Sequence, residues 1–146
     1  MVKLVLVAAA ALIRESSDGL GRRVLLAQRP SGKDMAGLWE FPGGKLEAGE
    51  TPEAALAREL QEELAVRVDE ESVLPLAFAS HSYSSAVEPF HLLMPLFAVT
   101  KWEGEPRGAE GQALAWATAE ELDDFEFPPA DVPLLPAVCA ALRADG

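Results

Sequence analysis

The sequence predicts an α+β fold in a single domain spanning residues 1–146. Apolar runs of strand length alternate with stretches of helical period, an order that suits a sheet packed on helices. A length of 146 residues suits one domain with a sizeable core. No internal repeat, linker or low-complexity tract divides the chain.

Composition narrows the class. Apolar residues make up 49% of the chain and charged ones 25%, the balance of a globular protein. The net charge of −12 sets up a surface that repels a nucleic-acid backbone and an anionic membrane. Neither is an expected partner. A free nucleotide is repelled too, unless a metal ion and local Arg or Lys reverse the field at its site. The single cysteine, Cys139, excludes an internal disulfide and a cysteine-built zinc site. Its apolar neighbours read as those of a small core residue, and the usage fits a reducing, cytoplasmic compartment.

Leu4 to Ile13, after Lys3, imitates a short signal peptide. It lacks a clear cleavage site and falls short of the roughly 20 residues that span a bilayer, so it is predicted as a buried strand. Ser16 to Gly21 is a turn, and Val24 to Gln28 is the partner strand of a long-looped hairpin. Arg29 to Glu40 is a loop carrying Arg29, Lys33 and Asp34. Phe41-Pro42-Gly43-Gly44 reads as a turn whose backbone can approach a ligand closely.

A helix follows. Thr51 is its N-cap, Pro52 suits the first helical position, and Glu53 complements the positive helix end. Leu56, Leu60 and Leu64, with Ala57, form an apolar stripe. Glu59, Glu62 and Glu63 stand at i, i+3 and i+4, with Arg58 just before, so three carboxylates share a flank. The residues alone allow a solvated acidic face or a site for a hard divalent cation, which binds carboxylate oxygens.

Beyond the helix, Arg67 to Ser72 is a polar connection. Val73 to Ala79 and Phe90 to Thr100 are strands, with Pro75 and Pro95 pointing to edges or bulges. His81, Ser82, Tyr83 and Ser84 could line a pocket, but a simple loop is the favoured reading, and His91 reads as structural. Trp102 to Gly111 is a long loop, and Ala113 to Ala117 a short strand. Thr118-x-x-Glu121 is a capping box. Val132 to Arg143 is a closing helix with Leu134, Leu135, Val138 and Leu142 inward.

The spacing Gly44-x5-Glu50-x7-Arg58-Glu59-Leu60-x-Glu62-Glu63 resembles the Nudix box. Ala27-Gln28-Arg29-Pro30, Gly37-Leu38-Trp39-Glu40-Phe41, Trp102-Glu103-Gly104-Glu105-Pro106, Glu110-Gly111-Gln112 and Phe127-Pro128-Pro129-Ala130 resemble MutT-type nucleoside triphosphate pyrophosphohydrolases. The resemblance implies the Nudix fold, a mixed sheet sandwiched between helices. It implies metal held by Glu59, Glu62, Glu63, Glu110 and the Gly43 carbonyl. The ion is Mg²⁺, with Mn²⁺ a possible substitute. Glu59 is the first candidate for general base and Glu110 the second, with Arg58 orienting a carboxylate through a bidentate pair. A structural role is expected for Glu50. Substrate contacts are carried onto Arg29, Glu40, Phe41, Pro42, Gly43, Gly44 and position 131. The implied reaction is attack at the β-phosphorus, giving a nucleoside monophosphate and pyrophosphate, with 8-oxo-dGTP the leading substrate and pool sanitation the role. A monomer or weak dimer is expected.

Two positions depart from the family pattern. Asp131 stands where MutT enzymes carry Asn. An Asn amide donates and accepts, matching the edge of 8-oxoguanine, whereas an ionised Asp only accepts. Ionised, it suits the N1–H and 2-amino group of a turned guanine or the 4-amino group of a cytosine; it also reads as a plain helix N-cap. Ala65 stands where the box has Gly, at a position of positive φ, at a cost of about 1–2 kcal/mol. The alternatives are a Nudix pyrophosphohydrolase of CTP, 5-methyl-dCTP or another nucleoside diphosphate derivative, and a non-catalytic nucleotide-binding regulator. The intact glutamates disfavour the last.

Overall fold

A computed structural model describes residues 2–32, 35–84 and 87–144. Lys33 and Asp34 lie outside the described residues. The predicted hairpin is present. Strand β1 (Lys3–Glu15) pairs antiparallel with β2 (Arg22–Gln28), with Ile13 opposite Val24. Strands β3 (Trp39–Glu40) and β4 (Gly43–Lys45) follow, then helix α1 (Pro52–Leu64). Strands β5 (Leu74–Tyr83), β6 (Phe90–Val99) and β7 (Leu114–Ala117) precede the closing helix α2 (Leu135–Arg143). The strands form one mixed sheet in the order β3-β2-β1-β6-β5, with β4 added to β1 and β7 to β2. Among the described residues only β1 and β6 run parallel within it. The fold is the expected α+β sandwich.

The core divides on the two faces of β1. Ala8, Ala10 and Leu12 meet Leu56, Leu60 and Leu64 of α1. Ala9, Ala11 and Ile13 meet Leu134, Val138 and Leu142 beside α2. Period-two alternation thus sends neighbouring alanines to opposite helices. On α1, Ala55 rather than Ala57 completes the buried stripe. Cys139 is half-buried against the α2-side core, as a small packing residue would be.

Several local expectations hold. Thr51 Oγ1 accepts from the Ala54 N–H at 3.1 Å. The capping box is reciprocal: Glu121 N–H donates to Thr118 Oγ1 at 3.3 Å, and Thr118 N–H to Glu121 Oε1 at 3.0 Å. Ala65 ends α1 at φ 58, ψ 33, in the left-handed region.

Others are corrected. The 43–44 glycines form a strand rather than a turn, because β1 extends past its hairpin and its free edge takes them up, with Ala9 opposite Gly43. Residues 81–83 continue β5 instead of starting a loop. His91 Nδ1 and Nε2 lie 2.7 Å from the hydroxyls of Ser82 and Ser80 across that ladder. Pro75 sits at a bulge in an edge strand, as predicted. Pro95 lies in the interior strand β6, where the ladder to β1 lapses between Leu6–Leu93 and Ala9–Leu96. The closing helix starts as a 3-10 turn over Val132–Leu134, and the α-helix proper begins at Leu135.

Candidate functional site

The site begins at α1. Glycine at 43 and 44 lets β4 lie flat between β1 and the helix. A Cβ on Gly43 would overlap the Ala8 carbonyl oxygen, and one on Gly44 would overlap the Glu59 carboxylate. The close approach anticipated for these glycines is therefore real, and it is to the protein's own groups.

Arg58 organises the outer carboxylates. Its Nε and Nη2 grip Glu50 bidentately at 2.8 and 2.9 Å, and Nη1 reaches Glu59 Oε1 at 2.9 Å. Nη2 also donates to the Lys45 carbonyl at 3.1 Å, tying helix to β4. The bidentate partner is thus Glu50, which also accepts the Glu47 N–H at 2.8 Å. Those bonds hold the Glu50 carboxyl down at about 2, Arg58 first and the Glu47 amide next.

The three box glutamates are not equivalent. Glu59 is nearly covered, its side chain 16% exposed. Glu62 stands at the rim, 55% exposed, and reaches Arg58 Nη1 only at 3.5 Å. Glu63 faces inward. Burial, then the charges of Glu59, Glu110 and Glu40, push its carboxyl up to about 8. Burial and the neighbouring acids thus disfavour the charged form of Glu63. Among the described residues no three acids or histidines already stand at metal-coordinating spacing, since Arg58 draws Glu59 and Glu62 toward itself. The donor set is nonetheless chemically apt. Glu63 feels the charges of both Glu59 and Glu110, and a divalent cation bound to hard carboxylate oxygens would offset that repulsion.

Glu63, Glu110, Gly43 and Gly44 line one end of a cleft of about 500 Å³. Arg29, Glu40, Phe41 and Asp131 line the other. Arg29 Nη1 donates to Glu40 Oε2 at 3.0 Å. Asp131 is 5% exposed. Its side chain makes no capping bond to the turn it precedes; Oδ2 accepts the Phe41 N–H at 3.3 Å instead. Asp131 thus holds the N-cap position of that turn, but its side chain does not cap it. Burial, then the charge of Glu40, raises its carboxyl to about 7, against the pull of the Phe41 amide and Arg29. Phe41 stacks on Phe127 at 5.7 Å, which seats the Phe127–Ala130 segment beside β3.

Pro42 does not reach the cleft. It is buried, and its carbonyl accepts the Ala10 N–H at 2.8 Å. Two cleft supports had no assigned role in the sequence. Gln112 lines the acidic end. Tyr83 Oη accepts the Ala130 N–H at 3.3 Å and so braces the residue before Asp131. The Glu-Gly-Gln segment pointed to Gln112, and Tyr83 falls within the 81–84 stretch that could line a pocket, where a plain loop is the favoured reading.

A helix that packs through leucines and turns acids toward a glycine-walled cleft defines a class of phosphate-handling hydrolases. A family model described as the NUDIX domain matches residues 5–138. The chain is 41% identical over 143 residues to the CTP pyrophosphohydrolase of Escherichia coli strain K12, covering 98% of this chain and 96% of that protein. It is 39% identical over 136 residues to the 8-oxo-dGTP diphosphatase of Haemophilus influenzae, covering 92% of each. Among solved structures, the E. coli ORF135 protein matches with a TM-score of 0.75 at 38% identity, covering 99% of this chain and 96% of that one. A MutT structure from work on Aliivibrio salmonicida and Vibrio cholerae matches at 0.71 and 29%, covering 93% and 96%. The chain belongs to the Nudix family and is a Nudix pyrophosphohydrolase. Enzymes of this family generally need a divalent metal ion. No helix among the described residues is long and apolar enough to cross a membrane.

Proposed function

We propose that the protein hydrolyses nucleoside triphosphates to a monophosphate and pyrophosphate with Mg²⁺, and that 8-oxo-dGTP is its substrate. The observation that carries this reading is the polarity of the cleft, acidic at the Glu63–Glu110 end and aromatic with one buried carboxyl at the Phe41–Asp131 end. The first end suits a triphosphate with its cation, the second a base. Glu59, Glu63, Glu110 and the Gly43 carbonyl are proposed as the metal's protein ligands. Glu62 joins them by turning in from the rim. The ion supplies charge neutralisation at the phosphates. Glu59 takes the proton of a water that attacks the β-phosphorus, with Glu110 the alternative base. The bond from the β-phosphorus to the bridging oxygen breaks, and the monophosphate leaves. Arg58 holds Glu59 in line.

Asp131 decides the base. Protonated, its carboxyl donates through O–H and accepts through the other oxygen, as an Asn amide does, and meets both N7–H and O6 of 8-oxoguanine. Its raised pKa, about 7, makes this form accessible near neutrality. Ionised, it only accepts and suits the 4-amino group of cytosine. That observation favours a second reading, a pyrophosphohydrolase of CTP or 5-methyl-dCTP. The test is pyrophosphate release with Mg²⁺ from 8-oxo-dGTP, dGTP, dCTP and 5-methyl-dCTP, compared as kcat/KM. Preference for 8-oxo-dGTP supports the first reading, a cytosine-leaning profile replaces it with the second, and no release from any of them removes both.

A further inference from the structure

The last carbonyls of an α-helix have no partner within the helix. In α1 they are met by the irregular segment that precedes β7. Arg107 N–H donates to the Leu64 carbonyl at 3.0 Å, and Ala109 N–H to the Glu63 carbonyl at 3.0 Å. Gln112 Nε2 donates to that same Glu63 oxygen at 2.9 Å. The other end of the same amide, Oε1, accepts the Glu110 N–H at 2.9 Å. One side chain therefore spans from the helix to the loop residue that faces it across the acidic end of the cleft.

The local backbone is built for that span. Gly111, at φ 82, turns the chain so that Gln112 can fold back over Glu110. Gly108 leaves room for the Gln112 carbonyl, which a Cβ there would overlap. Glu110 itself is exposed, so neighbours packed round its side chain do not fix it in place.

We propose that Gln112 is a positioning residue, holding Glu110 against the catalytic helix by bridging the Glu110 amide to the Glu63 carbonyl. The proposal rests on the reading of Glu110 as a residue of the site. A primary amide of this length has the acceptor and donor the bridge needs; Glu lacks the donor and Met lacks both. Misplacement of a catalytic carboxylate by about 1 Å can cost on the order of 100-fold in rate.

The experiment compares wild type, Gln112→Met, Gln112→Glu, Glu110→Gln and the Glu110→Gln/Gln112→Met double variant. It reads steady-state kinetics with Mg²⁺, and amide hydrogen exchange of Ala109 and Glu110 in metal-free protein. Gln112→Met should speed exchange at Glu110 by about tenfold or more. It should lower kcat about 10- to 100-fold while KM moves less than about threefold. The double variant should be no slower than Glu110→Gln, because the two residues act as one unit. Unchanged kcat in Gln112→Met, unchanged exchange at Glu110, or losses that multiply in the double variant overturn the proposal. If Gln112→Met fails to fold, Gln112→Glu serves in its place, with kcat lost through the missing donor. If Glu110→Gln alone turns over at the wild-type rate, the role of Glu110 fails first and that of Gln112 goes with it.

Discussion

The two ends of the cleft are built in different ways. The phosphate end rests on one continuous stretch, from Gly43 through Glu63, with Glu110 brought in by a single loop. The base end is gathered from Arg29 after β2, Glu40 on β3, Phe41 and Asp131 before α2. At the first end, helical spacing and the Arg58 grip set the geometry. At the second, burial does, and burial depends on the whole fold. Chemistry can therefore be held constant while the base reader drifts, and substitutions at the two ends should fail differently.

The largest effect is expected at the phosphate end. Glu59→Gln should lower kcat about 1000-fold and leave KM within a few-fold, since it removes a proton acceptor and leaves the base pocket intact. A modest loss in steady-state kinetics would move the base role to Glu110. Gly44→Ala should cost about 100-fold in kcat, because the added methyl displaces the Glu59 carboxylate. A wild-type rate would mean that the Glu59 position does not matter.

At the base end the expected change is in preference. The Asp131 carboxyl, raised to about 7, is protonated below that pH and ionised above it. The ratio of kcat/KM for 8-oxo-dGTP over 5-methyl-dCTP should fall about 100-fold between pH 6 and 8, about tenfold from each substrate. Asp131→Asn should flatten that slope. A slope that persists in the variant would take base reading away from Asp131.

Stability carries the smaller contrasts. Glu63 and Asp131 both have raised folded pKa values, about 8 and about 7. Between their ordinary range near 4 and those values the folded state holds protons that the unfolded state has released. Stability of metal-free protein should therefore fall as pH rises from about 5 to 8, with Mg²⁺ reducing the fall by taking the proton's place. A flat melting temperature across that range in EDTA would contradict the raised pKa values of Glu63 and Asp131. Ala65→Gly should gain about 1 kcal/mol, raising the melting temperature by roughly 3 °C with kcat unchanged.

The same contrast sets what was legible beforehand. The Thr51 cap and the Thr118–Glu121 box each depend on a few adjacent residues and could be read from them. The left-handed Ala65 was legible only through the resemblance to the Nudix box, which has glycine there. The burial of Asp131 could not, because the groups that surround it come from positions about 90 residues earlier. Its neighbours Val132 and Pro133 suggested a cap, and locally that was sound; the Phe41 amide competes for the side chain and wins. Pro95 was placed at an edge or bulge by the same kind of local logic. The parallel β1–β6 pairing instead tolerates it where the ladder lapses. Gly43 and Gly44 were recognised as a place of close approach, but what approaches is β1 and Glu59, which only the topology reveals.

Strand β1 carries a consequence for how the molecule comes apart. Its thirteen residues supply alternate side chains to both cores and backbone pairing to β2, β4 and β6. Neither half of the sandwich can open while that strand stays whole, and neither survives its loss. The protein should thus melt in one cooperative step, with the slowest-exchanging amides clustered at Ala8 to Leu12. The catalytic helix and the closing helix would then share a single lifetime, so that damage behind the base pocket shortens the life of the phosphate site as well.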